Sequence, residues 1–168
     1  MFDQKIFIYS GITWFTGFVC LLGCFYYYFF FYNRAFVELE IEVEQKSKFK
    51  IYWTEDNQPF SEKKQVSTRV IPPKSQYNFY LRDLDNIKKL RIDPIQYIGK
   101  AKLKNLLISQ PGYEPISIDF ENLDTTNDIV ESTVVPDGLI IKSTGVDPYF
   151  IINPIIKKGL NNWFLEIC

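Results

Sequence analysis

The chain has 168 residues, no histidine, and 19 Lys plus Arg against 20 Asp plus Glu, so its formal net charge is -1. This length corresponds to about one domain with an appendage, and the balanced charge excludes nucleic acid as an expected partner because no global positive field exists to hold it. Without histidine, the Ser-His and Cys-His nucleophiles and the usual zinc sites are excluded, so we expect no catalytic activity, no metal and no cofactor.

Residues 6 to 32 contain no charged side chain, whereas about 20 apolar residues suffice to cross a hydrocarbon core. The stretch ends in the aromatic run 26–32, where a ring belt at the headgroup level is expected. A cleaved signal peptide would have an apolar region of only about 7 to 15 residues and a small-x-small cleavage site. We therefore predict that residues 1–34 are an uncleaved, single-pass transmembrane anchor. Charges on the two flanks do not decide its orientation.

After Arg34 the apolar residues alternate with a period of two, which predicts a half-buried strand. Its two faces carry Val37, Leu39, Ile41 and Val43 on one side and Glu38, Glu40, Glu42 and Glu44 on the other. The next run places Phe49, Ile51 and Trp53 on one face, so we expect Trp53 in the core. Its lysines would lie opposite the glutamates in a hairpin that turns through residues 45–47.

Eight further strands are predicted, at residues 65–71, 76–82, 88–93, 101–109, 114–120, 138–143, 148–153 and 163–167. Turn-forming stretches separate them, among them 125–128 and 135–138, and only residues 83–89 are compatible with a short helix. Some ten short strands predict an all-β fold, a two-sheet antiparallel sandwich of jelly-roll-like type that occupies residues 35–168. Almost no linker separates it from the anchor, so the domain should lie close to the bilayer.

Two short motifs place an aspartate before a proline. Arg91-Ile92-Asp93-Pro94 ends one predicted strand, and Gly145-Val146-Asp147-Pro148-Tyr149 precedes another. In one interpretation proline ends the strand and the carboxylate caps backbone N–H groups. Arg91 and Asp93, two residues apart, point to the same side, which allows a fork-type ion pair either within the strand or to a neighbouring one. The alternative interpretation is a clamp for a ligand.

The segments LDNIKKLRIDPIQYIGKAKLKNLLI (84–108) and IIKSTGVDPYFIIN (140–153) resemble the jelly-roll domain of certain bacterial envelope proteins, over most of residues 36–156. In those relatives the domain follows an N-terminal membrane helix and is often joined to a polytopic membrane glycosyltransferase or a related polysaccharide enzyme. The resemblance implies an exported, glycan-related domain in the cell envelope, with the N-terminus inside. It implies no catalytic residue, and it predicts a detached binding piece or the truncated start of a longer protein.

A sugar site is expected to offer an aromatic ring that stacks on the C–H face of a pyranose, with amides and charges beside it. The candidates are Tyr52, Tyr80, Tyr97, Tyr113 and Tyr149, together with Arg91, Asp93 and Asp147. Strand packing is the alternative role for each tyrosine, and Trp163 remains unassigned. The expected partners are the bilayer, an envelope glycan or lipid-linked sugar, and a polytopic membrane protein. A structural subunit of a membrane complex is the alternative function.

Overall fold

The computed structural model describes residues 4–55, 58–82, 84–118, 120, 123 and 125–159, with side chains from residue 13 onward except those of residues 86, 125 and 126. The predicted strand at 163–167 and Trp163 lie outside the described residues.

The N-terminal segment is helical, as predicted. Helix α1 spans Gln4–Tyr27, and a π-helical turn, Tyr28–Tyr32, continues it. Thr13–Tyr32 is long and apolar enough to cross a membrane, with a mean hydropathy of 1.5 and none of the window buried against the domain. Helices that span membranes and signal sequences near an N-terminus both have this length and composition.

Two antiparallel sheets form the rest of the described chain, which confirms the predicted two-sheet sandwich. The first sheet has the order β4-β1-β6-β10-β9, with β7 also paired to β6, and the second has the order β3-β2-β5-β11-β8. The strands are β1 (Arg34–Val43), β2 (Ser47–Thr54), β3 (Gln65–Val70), β4 (Gln76–Arg82), β5 (Lys89–Asp93), β6 (Gly99–Ser109), β7 (Ile116–Ser117), β8 (Thr125–Asn127), β9 (Ile129–Val135), β10 (Gly138–Ser143) and β11 (Tyr149–Ile152). A short 3-10 turn, Leu84–Asn86, replaces the possible helix at 83–89.

The predicted hairpin between the first two strands is wrong. Strand β1 pairs with β4 and β6 in one sheet, whereas β2 pairs with β3 and β5 in the other. The connection therefore crosses the sandwich, and Val43 and Ser47 on either side of it are both buried. The glutamates of β1 meet lysines of β6 instead, where Lys104 Nζ lies 2.5 Å from Glu42 Oε1 and 3.8 Å from Glu40 Oε1.

The predicted turn at 125–128 is also wrong for most of its length. Thr125–Asn127 forms β8, and only Asp128, with a φ of 53°, bends the chain. The strand that follows, β9, was not predicted from the sequence. Strand β9 has no alternating pattern because most of its residues are exposed on both faces. The predicted turn at 135–138 does join β9 to β10.

The core lies between the sheets and is filled by the inward faces that the sequence patterns predicted. Val37, Leu39 and Ile41 of β1 are buried, and so are Phe49, Ile51 and Trp53 of β2. These side chains bury apolar surface from both sheets in one cluster, which is the main source of stability in such a sandwich.

Gln110 joins the helix to the sandwich. Its buried side chain donates from Nε2 to the Tyr32 carbonyl oxygen at 3.2 Å and accepts from the Leu84 amide at 2.9 Å. Strand β1 begins only two residues after Tyr32. Because β1 lies inside the first sheet, the helix connects directly to the body of the sandwich.

Candidate functional site

Five of the eight predicted site residues come together on the outer face of the second sheet. They are Tyr52 on β2, Arg91 and Asp93 on β5, Tyr149 at the start of β11, and Asp147 just before it, and we call them the Arg91 cluster. Arg91 is directly opposite Tyr52 in the β2–β5 register. Side chains directly opposite each other on neighbouring strands share a face, which explains why these residues meet.

Arg91 is the centre of the Arg91 cluster. Its Nε lies 2.7 Å from Asp93 Oδ1 and its Nη2 lies 2.9 Å from Asp93 Oδ2, so the predicted fork-type ion pair is present. Nη2 also donates to both oxygens of Asp147, at 3.1 and 3.2 Å. The guanidinium carbon is 3.8 Å from the centre of the Tyr149 ring and 5.1 Å from that of Tyr52. Two carboxylates and two rings therefore surround one cation.

Burial determines the electrostatics of this ion pair. The Asp93 side chain is only 1% exposed, and desolvation raises the pKa of that carboxyl, although the hydrogen bonds and charge of Arg91 act in the opposite direction. Desolvation lowers the pKa of Arg91, but the hydrogen bond and charge of Asp93, with help from Asp147, raise it overall. Both oxygens of this buried carboxylate accept from Arg91, so the ion pair stabilises the sheet. Asp93 is therefore not placed to contact a ligand.

Tyr52 is held in a hydrogen-bonded chain. Its hydroxyl accepts from Lys50 Nζ at 3.1 Å and donates to Glu62 Oε1 at 2.9 Å, and Glu62 Oε2 accepts from Gln65 Nε2 at 2.5 Å. Burial raises the pKa of the Tyr52 hydroxyl. The ring is buried, so Tyr52 supports Arg91 rather than forming an open stacking platform.

The accessible part of the Arg91 cluster is its rim at Asp147, Tyr149 and Asn127. Asp147 keeps 53% of its side chain exposed while Arg91 binds its carboxylate. Asn127 Nδ2 donates to the Asp147 carbonyl oxygen at 3.1 Å, and Asn127 is directly opposite Tyr149 in the β11–β8 register. Asn127 was not among the predicted site residues because it lies in the stretch interpreted as a turn. Its place beside the Asp-Pro-Tyr motif follows only from the pairing of β8 with β11.

The other three predicted tyrosines do not join the Arg91 cluster. Tyr80 lies on the outer face of the first sheet and packs against Phe36, with ring centres 5.4 Å apart. Tyr97 is buried, accepts from the amide of Glu44 at 3.0 Å and donates to the Lys100 carbonyl oxygen.

Tyr113 lies at the helix end of the sandwich. Its hydroxyl donates to Asp85 Oδ1 at 2.8 Å. This hydrogen bond, together with the charge of Lys158, lowers the pKa of Asp85. This contact links the segment after β6 to the 3-10 turn after β4. It does not involve the rim of the Arg91 cluster.

Searches of protein-family models, curated proteins and solved structures find no match to this chain. The resemblance to jelly-roll domains of bacterial envelope proteins therefore stays a prediction. Among the described residues, no group of three or more Cys, Asp or Glu side chains is arranged to hold a metal ion.

Proposed function

We propose that this protein is a membrane-anchored, non-catalytic β-sandwich module that binds or positions a glycan during polysaccharide assembly in a bacterial cell envelope. The observation that carries the proposal is the rim of the Arg91 cluster. A carboxylate fixed by Arg91, that of Asp147, is more than half exposed beside the Tyr149 ring and the Asn127 amide.

These three groups have the chemistry that a pyranose requires. Arg91 covers one face of the half-buried Tyr149 ring, and the rest of the ring offers apolar surface to the C–H face of a sugar. A carboxylate accepts from hydroxyl groups, and an amide both donates and accepts. Arg91 already holds Asp147 in place. Binding therefore costs less side-chain conformational entropy than it would if Asp147 were free to rotate.

The helix supports a membrane location for this module. Thr13–Tyr32 is apolar and exposed around its circumference, and the buried Gln110 side chain binds the end of the helix to the sandwich. We place the N-terminus inside and the sandwich outside, on the strength of the resemblance. The Arg91 cluster would then lie outside the membrane, where envelope glycans are assembled.

Glycan binding is tested on the full chain in lipid nanodiscs against a panel of envelope polysaccharide fragments and lipid-linked oligosaccharides. For any glycan bound, Tyr149→Ala and Asn127→Ala should each raise Kd about tenfold or more, as loss of one well-placed contact does. Val134→Ala, which shortens an exposed side chain on β9 of the other sheet, should leave Kd unchanged. A folded wild-type chain that binds none of the panel contradicts the proposal.

A second candidate function is an interaction subunit of a membrane complex, and strand β9 favours it. Within the described part of the chain, β9 pairs only with β10, so its other edge presents free backbone donors and acceptors. Val130 and Val134 are 62% and 48% exposed on it. Such an edge accepts a strand from another chain. Val134→Lys should abolish any co-purifying membrane partner and leave glycan binding intact.

A further inference from the structure

A cleft of about 520 Å³ opens where the helix joins the sandwich. It lies on the side closed by the edge strands β3 and β4, and Trp53 and Leu81 form part of its floor. Its other lining includes Arg34, Arg82 and Lys63. The Arg91 cluster does not include any of these residues.

Among the lining residues that the structure describes, positive charges outnumber negative ones. Arg34 and Arg82 lie directly opposite each other in the β1–β4 register, an arrangement of like charges that destabilises a sheet. Among the described residues, no carboxylate forms an ion pair with either of them or with Lys63. Glu55, the one acid among the described residues of the lining, is bound to Lys64 at 3.2 Å. An anion in the cleft would relieve this repulsion.

The cleft adjoins the end of the apolar helix. The Arg34 guanidinium carbon lies 5.5 Å from the centre of the Phe30 ring, on the last turn of the segment that can cross a membrane. Aromatic rings at the end of a spanning helix lie at the level of the lipid headgroups. The two guanidinium groups therefore lie at the depth where lipid phosphates are found.

We propose that the cleft binds the phosphate of an anionic membrane lipid through Arg34 and Arg82, with Lys63 adding a third positive charge. A guanidinium presents paired donors that match phosphate oxygens, and two of them side by side favour a phosphate over a neutral headgroup. The site rests on the membrane anchoring proposed above and takes a lipid rather than soluble phosphate because it opens beside the end of the helix.

The test uses the full chain purified in detergent and titrated with phosphatidylglycerol or phosphatidylcholine, with bound lipid counted by native mass spectrometry. Arg34→Gln with Arg82→Gln should weaken phosphatidylglycerol binding about 30-fold, at about fivefold for each cation. Lys48→Gln with Arg69→Gln is the matched control, because these residues form the same kind of opposed like-charge pair on β2 and β3, away from the helix. The control should bind phosphatidylglycerol as the wild type does.

Equal loss in the two double variants, or wild-type binding of phosphatidylcholine as tight as that of phosphatidylglycerol, would overturn the proposal. Displacement of the lipid by millimolar inorganic phosphate would overturn the lipid assignment. A fold defect is separable, because removal of the Arg34–Arg82 repulsion should leave the melting temperature unchanged or raised.

Glycan binding of the same double variant separates this inference from the proposed function. Selective lipid binding by a chain that binds no glycan supports the cleft and contradicts only the glycan proposal. A chain that binds a glycan but shows no preference for phosphatidylglycerol contradicts the cleft proposal and supports the glycan proposal.

Discussion

Replacement of Arg91 by methionine tests whether the Arg91 cluster holds the second sheet together. The change leaves the Asp93 carboxylate, 1% exposed, without its cation and without two hydrogen bonds. Removal of one partner from a fully buried ion pair destabilises a protein by about 3–5 kcal/mol. Because the Arg91 side chain is itself 20% exposed, solvent screens part of the interaction, and we expect a loss of about 2–4 kcal/mol.

The loss is measured by urea unfolding of the full chain in detergent micelles. Trp53 is buried in the sandwich core, so its fluorescence reports unfolding of the sheets. With a slope of about 1–3 kcal/mol per molar urea, a loss of about 3 kcal/mol lowers the midpoint by about 1–3 M. The slope itself should not change.

The double variant Arg91→Met with Asp93→Leu provides the control. It removes the buried carboxylate together with the cation, so most of the lost stability should return, as it does when a buried ion pair is replaced by apolar residues. A loss below about 1 kcal/mol in the single variant, which is no more than a surface ion pair contributes, would refute the reasoning. A double variant as unstable as the single one would refute it too.

Three further outcomes follow from the same structure. Burial raises the pKa of Asp93, so the folded state binds a proton at this carboxyl more tightly than the unfolded chain does. The contribution of this group to stability therefore falls as pH rises from about 4 through the folded pKa. Asp93→Asn should remove that fall in urea titrations at a series of pH values. Gly138 has a φ of 138° and a Cβ there would collide with the Leu103 carbonyl oxygen, so Gly138→Ala should lower the free energy of unfolding by about 1–3 kcal/mol and the melting temperature with it. Gln110→Ala should cost about 1–3 kcal/mol and speed hydrogen exchange of the Leu84 amide, which loses its buried acceptor.

The sequence predicted the strand faces well because a period of two is a local property. The alternation in β1 identified Val37, Leu39 and Ile41 as inward-facing, and all three are buried. Local patterns carry no information on which strand lies alongside, so the hairpin prediction failed. The expected charge pairing does occur, but Lys104 of the distant β6 provides it.

In the candidate site, too, the sequence predicted the contacts within one strand and did not predict the contacts between strands. Arg91 and Asp93 are two residues apart on one strand, so the sequence predicted that they share a face and can form an ion pair; the structure shows that they bind each other. The contacts of Arg91 with Asp147 and Tyr149 depend on the pairing of β5 with β11, which local signals do not specify. Asn127 was missed for a related reason, because a three-residue edge strand has too few positions to show a period.

The cleft and the Arg91 cluster are linked by a continuous chain of contacts. Gln65 lines the cleft and donates to Glu62, Glu62 accepts from Tyr52, and the Tyr52 ring lies against Arg91. Arg91 in turn holds Asp147 at the exposed rim. The rim itself is farther from the helix, because Tyr149 precedes Phe150, which lies opposite Ile92 and through it opposite Ile51, three residues or about 10 Å before the end of β2. The two proposed sites therefore lie at opposite ends of this chain of contacts and at different distances from the helix.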